Sequence, residues 1–142
     1  MNVRIKRLRP NAELPKYQTP GAAAFDLAAA EDTTVQPGEV ALVPTGLVVE
    51  VPPGMFLGIF ARSSTPLKRG LIVANGVGVV DPDYSGPQDE VKVAVLNFRN
   101  TAVTVSRGER IAQGILLASP RVTWIEVDEL ATSSRGGFGA TG

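Results

Sequence analysis

The chain alternates short apolar or β-branched runs with clusters of proline, glycine, aspartate and asparagine. Runs of this kind, bounded by turn residues, are typical of strands. They predict strands over Val3–Leu8, Glu39–Val51, Met55–Ala61, Leu71–Ala74, Val91–Phe98, Ala102–Ser106, Arg110–Leu117 and Val122–Val127. Only Ser64–Arg69 suits a helical turn, because Pro66 is tolerated near a helix start. The pattern predicts an all-β fold, a distorted jelly roll or barrel-like sandwich with at most one short helix.

The length of 142 residues suits one domain with a single core. Apolar periodicity continues to about Asp128 and is lost beyond it. We therefore expect a packed domain over residues 1–128 and a mobile arm over residues 129–142. In the first predicted strand, Val3 and Ile5 are expected to face inward, while Arg4 and Lys6 face water.

Charge and composition narrow the chemistry. The chain carries 14 basic and 14 acidic residues, so no global field draws it to nucleic acid or anionic membrane. It lacks cysteine and histidine, which excludes disulfides, thiol catalysis and any Ser-His-Asp scheme. Catalysis would have to use carboxylates, hydroxyls, lysine, arginine and a hard metal ion. With no secretory signal and no apolar run of membrane-spanning length, a cytoplasmic protein is expected.

The segment from Asn75 to Tyr84 is the first candidate site. Gly76 and Gly78 interrupt an apolar run, as they would where a ligand approaches the backbone. Asp81 could orient a water as a general base, with Tyr84 packing on a sugar or ring. The alternative is an ordinary Asp-Pro-Asp turn that closes a hairpin, with the tyrosine filling the core.

A second group of polar residues could bind phosphate or metal. Arg62, Ser63 and Ser64 follow a predicted strand and resemble a phosphate cradle, or Ser64 caps a helical turn while Arg62 forms a surface ion pair. Asp26 could hold the water shell of Mg²⁺, or it is a hydrogen-bonded turn residue. Gln113 lies in a buried-looking strand, where its amide needs either a ligand phosphate or a backbone partner.

The C-terminal tail contains four glycines in its last eight residues and cannot build a core. Arg135 could grip a phosphate and Phe138 could stack on a base, as in a lid that closes over a nucleotide. The alternative is a frayed terminus of low complexity.

Taken in order, these segments resemble the five motifs of the trimeric dUTPase family over nearly the whole chain. The matching segments are Phe25-Asp26-Leu27, Arg62-Ser63-Ser64, Asn75 through Gly86, Gly108 through Gln113 and Arg135 through Gly142. The resemblance implies a jelly-roll homotrimer, with sites between subunits, that hydrolyses dUTP to dUMP and pyrophosphate with Mg²⁺.

The resemblance also implies a role for each site residue. Asp81 would activate the water that attacks the α-phosphorus, and Asp26 would hold a metal-bound water. Substrate-binding positions would be Arg62, Ser63, Ser64 and Gln113 for phosphate; Asn75, Val79, Val80 and Tyr84 for the nucleoside; Lys92 near a position that often contributes to the ligand site; and Arg135, Phe138, Ala140 and Thr141 in the closing arm.

Three departures from the family pattern and two rival functions accompany this resemblance. Ala24 occupies a position that is usually glycine in the family. The join from Ser85 to Lys92 is about three residues longer than usual, and the tail between Arg135 and the Gly-Phe-Gly core is about two residues shorter. The rivals are a dCTP deaminase of the same fold, alone or bifunctional with dUTPase, and a nucleotide-binding regulator without turnover. A purely structural jelly roll leaves the glycine-rich tail without a purpose.

Overall fold

Antiparallel strands make up nearly all of the regular structure in the computed structural model, which describes residues 1–139. The single helix, α1, spans Ser64–Arg69. The strands are β1 (Ile5–Arg7), β2 (Phe25–Ala28), β3 (Thr33–Val35), β4 (Val40–Pro44), β5 (Leu47–Val49), β6 (Met55–Ala61), β7 (Leu71–Val73), β8 (Gly78–Val80), β9 (Lys92–Asn97), β10 (Val103–Val105) and β11 (Arg110–Ala118).

Two sheets form the main layers. One has the order β2-β11-β6-β8 and the other β4-β9-β7, while β1 pairs with β5 and β10 pairs with β3. The side chains that face inward from these sheets form one apolar core, whose fully buried members include Leu27, Leu47, Leu57, Leu71, Val93, Val95 and Ile111. The predicted all-β sandwich is therefore confirmed, and the sheets do not close into a barrel.

Most predicted elements occur close to their expected places. The strand over Met55–Ala61 and the helix over Ser64–Arg69 have the predicted bounds. The long run Glu39–Val51 divides into β4 and β5, because Gly46 turns the chain with a φ of 69°. The sequence pattern missed β2, β3 and β8, which are three or four residues long.

Two sequence-based expectations are wrong. Residues 122–127 form no strand, and Trp124 and Ile125 are almost fully exposed in the chain. In β1, Ile5 is exposed rather than inward-facing, since all three residues of that short strand are exposed. Only Val3 packs against the core from this end of the chain. Within residues 1–139, no helix has the length and apolarity needed to cross a bilayer.

Candidate active site

A pocket of about 360 Å³ opens where β8 meets the start of β9. A pocket of this size lies within the usual range for small ligands. Its lining combines apolar and polar groups and includes five of the predicted substrate positions together with the predicted base. These residues are Asn75, Val79, Val80, Asp81, Tyr84 and Lys92.

Asp81 stands at the end of β8, in a tight turn. Its carbonyl accepts the backbone N–H of Tyr84 at 3.1 Å, as expected of the Asp-Pro-Asp turn, and its side chain is exposed at the pocket. The tyrosine does not fill the core, because 42% of its surface is exposed. Its hydroxyl donates to the carbonyl of Glu90 at 3.1 Å, so the ring forms a fixed wall of the pocket.

The two glycines of this segment have structural reasons of their own. Gly76 adopts a φ of 73° in the turn after β7, a conformation that favours glycine. A Cβ on Gly78 would lie 2.9 Å from the Cβ of Ile59 on the paired strand. The strands on either side of Gly76, β7 and β8, do not pair with each other as a hairpin would. Strand β7 pairs with β9, whereas β8 pairs with β6 in the other sheet.

A second polar cluster lies at the opposite end of β6. Strand register places Asp26 of β2 across from Gln113 of β11, which in turn pairs with Phe60 near the end of β6. Arg62 follows that strand, and its Nε lies 3.0 Å from Oδ1 of Asp26. The cluster is largely buried, with 11% of the Asp26 side chain and 25% of the Arg62 side chain exposed.

Arg110 completes this cluster, although no role was predicted for it within the Gly108–Gln113 segment. Its Nη1 lies 3.0 Å from Oδ2 of Asp26, so each oxygen of that carboxylate contacts an arginine. A β-bulge between Arg110 and Ala112 adds one residue to β11. The bulge turns the Arg110 side chain toward the face that carries Gln113, which strict alternation would not do.

The structure decides between the local alternatives for this group. Asp26 lies in a strand rather than a turn, and the Gln113 amide donates to the carbonyl of Ala61 at 3.0 Å. Ser64 does not cap α1; Ser63 occupies the cap position without a side-chain hydrogen bond. Ser64 lines a 210 Å³ cavity together with Arg62, whose Nη1 donates to the Ser64 hydroxyl at 3.5 Å, and Ser63 is exposed.

The two clusters are far apart in one chain. Val80 pairs with Leu57 of β6, and Asp81 follows one residue beyond that pair, whereas Arg62 follows the other end of the same strand. Six residues of extended strand therefore separate them, or about 20 Å at 3.3 Å per residue. One chain does not bring the predicted base and the predicted phosphate cluster together.

The predicted arm residues stand apart from both clusters. Residues 119–139 contain no helix or strand, and every one of them is exposed. Arg135 and Phe138 lie in this segment and line neither pocket. Ala140 and Thr141 lie outside the described residues.

Comparison with known proteins decides the family. The family model for dUTPase matches residues 10–142 of the chain. The chain belongs to the dUTPase family. Over 145 residues it is 44% identical to the deoxyuridine 5′-triphosphate nucleotidohydrolase of Thermobifida fusca, covering all of this chain and 79% of the relative. It is 42% identical to the enzyme of that name from Nautilia profundicola, covering all of this chain and 99% of the relative.

Solved structures of dUTPases have the same fold. The crystal structure of the dUTPase from Streptococcus mutans superimposes with a TM-score of 0.78 at 33% identity, covering 87% of this chain and all of that one. The dUTPase of Staphylococcus phage 80α with bound dUPNHPP gives a TM-score of 0.88 at 22% identity, covering 99% of this chain and 98% of that one. The sheet arrangement is therefore the jelly roll of dUTPases.

Proposed function

We propose that the chain hydrolyses dUTP to dUMP and pyrophosphate, with Asp81 as the general base for attack of water on the α-phosphorus. The observation that carries this proposal is the exposed Asp81 carboxylate at the edge of a nucleoside-sized pocket. Because the chain has no histidine, a carboxylate is the base best suited to the task. Membership of the dUTPase family supports the substrate.

Selection of uracil and deoxyribose follows from the pocket walls. Strand β8 offers its backbone around Val79 and Val80, beside Asn75, to the polar edge of a base. A narrow backbone wall excludes the thymine methyl, and cytosine would leave buried donors and acceptors unpaired. Tyr84, held through its hydroxyl, would pack beneath the sugar and exclude a 2′-hydroxyl.

The second cluster suits the triphosphate. Arg62 and Arg110 provide planar donors for phosphate oxygens, and Ser63, Ser64 and Gln113 provide further polar groups nearby. In the free chain the two arginines share the one carboxylate of Asp26, so the three side chains keep one net positive charge. An incoming phosphate is therefore attracted to the cluster and competes with Asp26 for Arg62.

The residues of this cluster suit Mg²⁺ bound through water molecules rather than by direct coordination. Both carboxylate oxygens of Asp26 contact arginines, and residues 1–139 contain no group of three acidic or other metal-ligating side chains. Mg²⁺ commonly keeps several waters and binds through substrate phosphates, so Asp26 would accept a hydrogen bond from a metal-bound water. When bound, the ion neutralises charge on the triphosphate and its leaving group.

We infer that more than one chain forms each complete site, which supports the homotrimer. The base and the phosphate cluster lie about 20 Å apart along β6, too far for contact with one α-phosphate. A neighbouring copy that presents its phosphate cluster to this Asp81 would complete the site, and cyclic symmetry would repeat it at each interface.

An apolar sheet face provides a surface for such assembly. On the outer side of the β4-β9-β7 sheet, Val40 and Leu42 pair with Leu96 and Ala94, and Ile72 also pairs with Leu96. Val40 and Leu42 are more than half exposed. An apolar patch of this kind on a soluble domain is typical of a subunit interface, and Leu42 continues it to the nucleoside pocket.

The substrate preference tests the proposed function. With Mg²⁺, we expect pyrophosphate release from dUTP, at least about 100-fold slower release from UTP, dCTP and dTTP, and loss of activity after chelation with EDTA. Ammonia release from dCTP would instead identify the deaminase, and tight dUTP binding without pyrophosphate would identify the regulator.

The arm residues 129–142 are proposed to close over the nucleotide. Deletion of residues 135–142 is expected to leave folding and assembly intact, because the tail is exposed up to residue 139 and makes no contact with the core. Turnover of dUTP should fall about 100-fold or more, since positioning groups and water exclusion are lost together. Circular dichroism, sedimentation and kcat would be measured together, and loss of folded signal would contradict the assignment of an arm.

A further inference from the structure

Glu90 is a buried carboxylate that the proposed reaction does not use. The residue is 9% exposed and lies between the candidate site and the turn that joins β4 to β5. Burial of a charged group is costly unless hydrogen bonds and opposite charges compensate it. The contacts of Glu90 therefore indicate what its burial achieves.

The carboxylate binds three groups from different parts of the chain. Its Oε1 accepts the backbone N–H of Gly46 at 2.8 Å and lies 3.6 Å from Nη2 of Arg9. Its Oε2 lies 4.0 Å from Nζ of Lys92, a residue that lines the nucleoside pocket. The side chain thus joins the β4–β5 turn to the first residue of β9.

The backbone of the same residue holds the tyrosine wall. The Tyr84 hydroxyl donates to the Glu90 carbonyl at 3.1 Å, which links the two ends of the segment formed by residues 85–89. The next residue is fixed as well, since the Val91 carbonyl accepts from the Thr45 hydroxyl at 2.6 Å. The Val91 N–H donates to Leu47 at 2.8 Å. Glu90 is therefore held through its side chain and through the hydrogen bonds of Val91, and the Tyr84 hydroxyl is bonded to its carbonyl.

We propose that Glu90 is a positioning residue for sugar selection, fixing the Tyr84 ring against the place of the 2′-carbon through its anchored backbone. This inference rests on the proposed function of the pocket. Loss of the carboxylate removes the side-chain contacts that hold residue 90. The segment from Tyr84 to Glu90 then becomes more mobile, and the tyrosine ring can move aside for a 2′-hydroxyl. This movement makes space for the 2′-hydroxyl of a ribonucleotide. A deoxyribonucleotide needs no such space, and its sugar is only held less precisely.

The test compares dUTP with UTP in Glu90→Gln. The amide keeps an oxygen for Gly46 but loses the charge that faces Arg9 and Lys92. We expect the ratio of kcat/KM for dUTP to that for UTP to fall roughly fivefold or more, the worth of about one hydrogen bond. A purely structural role would lower both values by the same factor and leave the ratio unchanged.

Two further variants keep the test decisive. Tyr84→Phe removes the hydroxyl that bonds the Glu90 carbonyl and should lower the same ratio, including when Glu90→Gln fails to fold. The double variant should show little additional change, because both substitutions break one connection. Glu50→Gln, an exposed carboxylate paired with Arg4, is the matched control and should not alter the ratio.

The outcomes separate the two proposals. Wild-type protein that fails to hydrolyse dUTP contradicts the proposed function itself. Wild-type activity with an unchanged dUTP-to-UTP ratio in both Glu90→Gln and Tyr84→Phe overturns the role of Glu90 and leaves the function standing.

Discussion

Asp81→Asn is expected to lower kcat for dUTP by about 10³-fold, within the range for removal of a general base. Asparagine has nearly the same shape and keeps one oxygen toward the pocket, but it cannot accept a proton from water. The turn itself depends on the Asp81 carbonyl, which accepts the Tyr84 N–H, and this backbone contact survives the substitution. Substrate binding should therefore change much less than turnover.

The measurement is pyrophosphate release at saturating dUTP, beside equilibrium binding of a non-hydrolysable dUTP analogue. Asp83→Asn is the matched control, because Asp83 is an exposed aspartate in the same turn and lies outside the nucleoside pocket. We expect that variant to retain activity within a few-fold. Equal losses in the two variants would attribute the effect to turn structure, and retention of full activity in Asp81→Asn would reject the proposed base.

Mixed trimers of two inactive variants are expected to regain activity. If one subunit contributes Asp81 and another contributes Arg62 to each site, then Asp81→Asn and Arg62→Gln inactivate different halves of it. In randomly mixed trimers about one quarter of sites receive both intact halves, so activity should rise to about one quarter of the wild-type value. The roughly 20 Å between the two positions in one chain is the physical basis of this expectation.

The variants would be co-refolded at equal concentration, with the assembly confirmed by sedimentation. Each variant refolded alone is the control and should stay below about 1% of wild-type turnover. Thermal unfolding would verify that Arg62→Gln, which leaves Asp26 with Arg110 alone, still folds. Mixed samples no more active than the average of the two parents would show that each site is formed within one chain.

Local sequence was sufficient for the larger elements. The run Met55–Ala61 and the helix Ser64–Arg69 have the predicted bounds, because apolar content and the position of Pro66 are local signals. Strands β2, β3 and β8 were not predicted, although β7 and β10 are equally short and were. Asp26 interrupts β2, only Val35 of β3 is apolar, and two glycines interrupt the run that contains β8, so none of the three shows a continuous apolar run. Val122–Val127 has the pattern of a strand, yet no strand within residues 1–139 pairs with it.

Sequence by itself determined the all-β class, the chemistry open to a chain without histidine or cysteine, and the motif order that indicated the family. Tertiary structure alone decided which of these residues meet. Register across β2, β11 and β6 joins Asp26, Gln113 and Arg62, and a bulge brings in Arg110, since strand alternation is altered by one inserted residue. The same register places Asp81 at the far end of β6, because pairing between strands distant in sequence is set by packing of the whole core rather than by any local pattern.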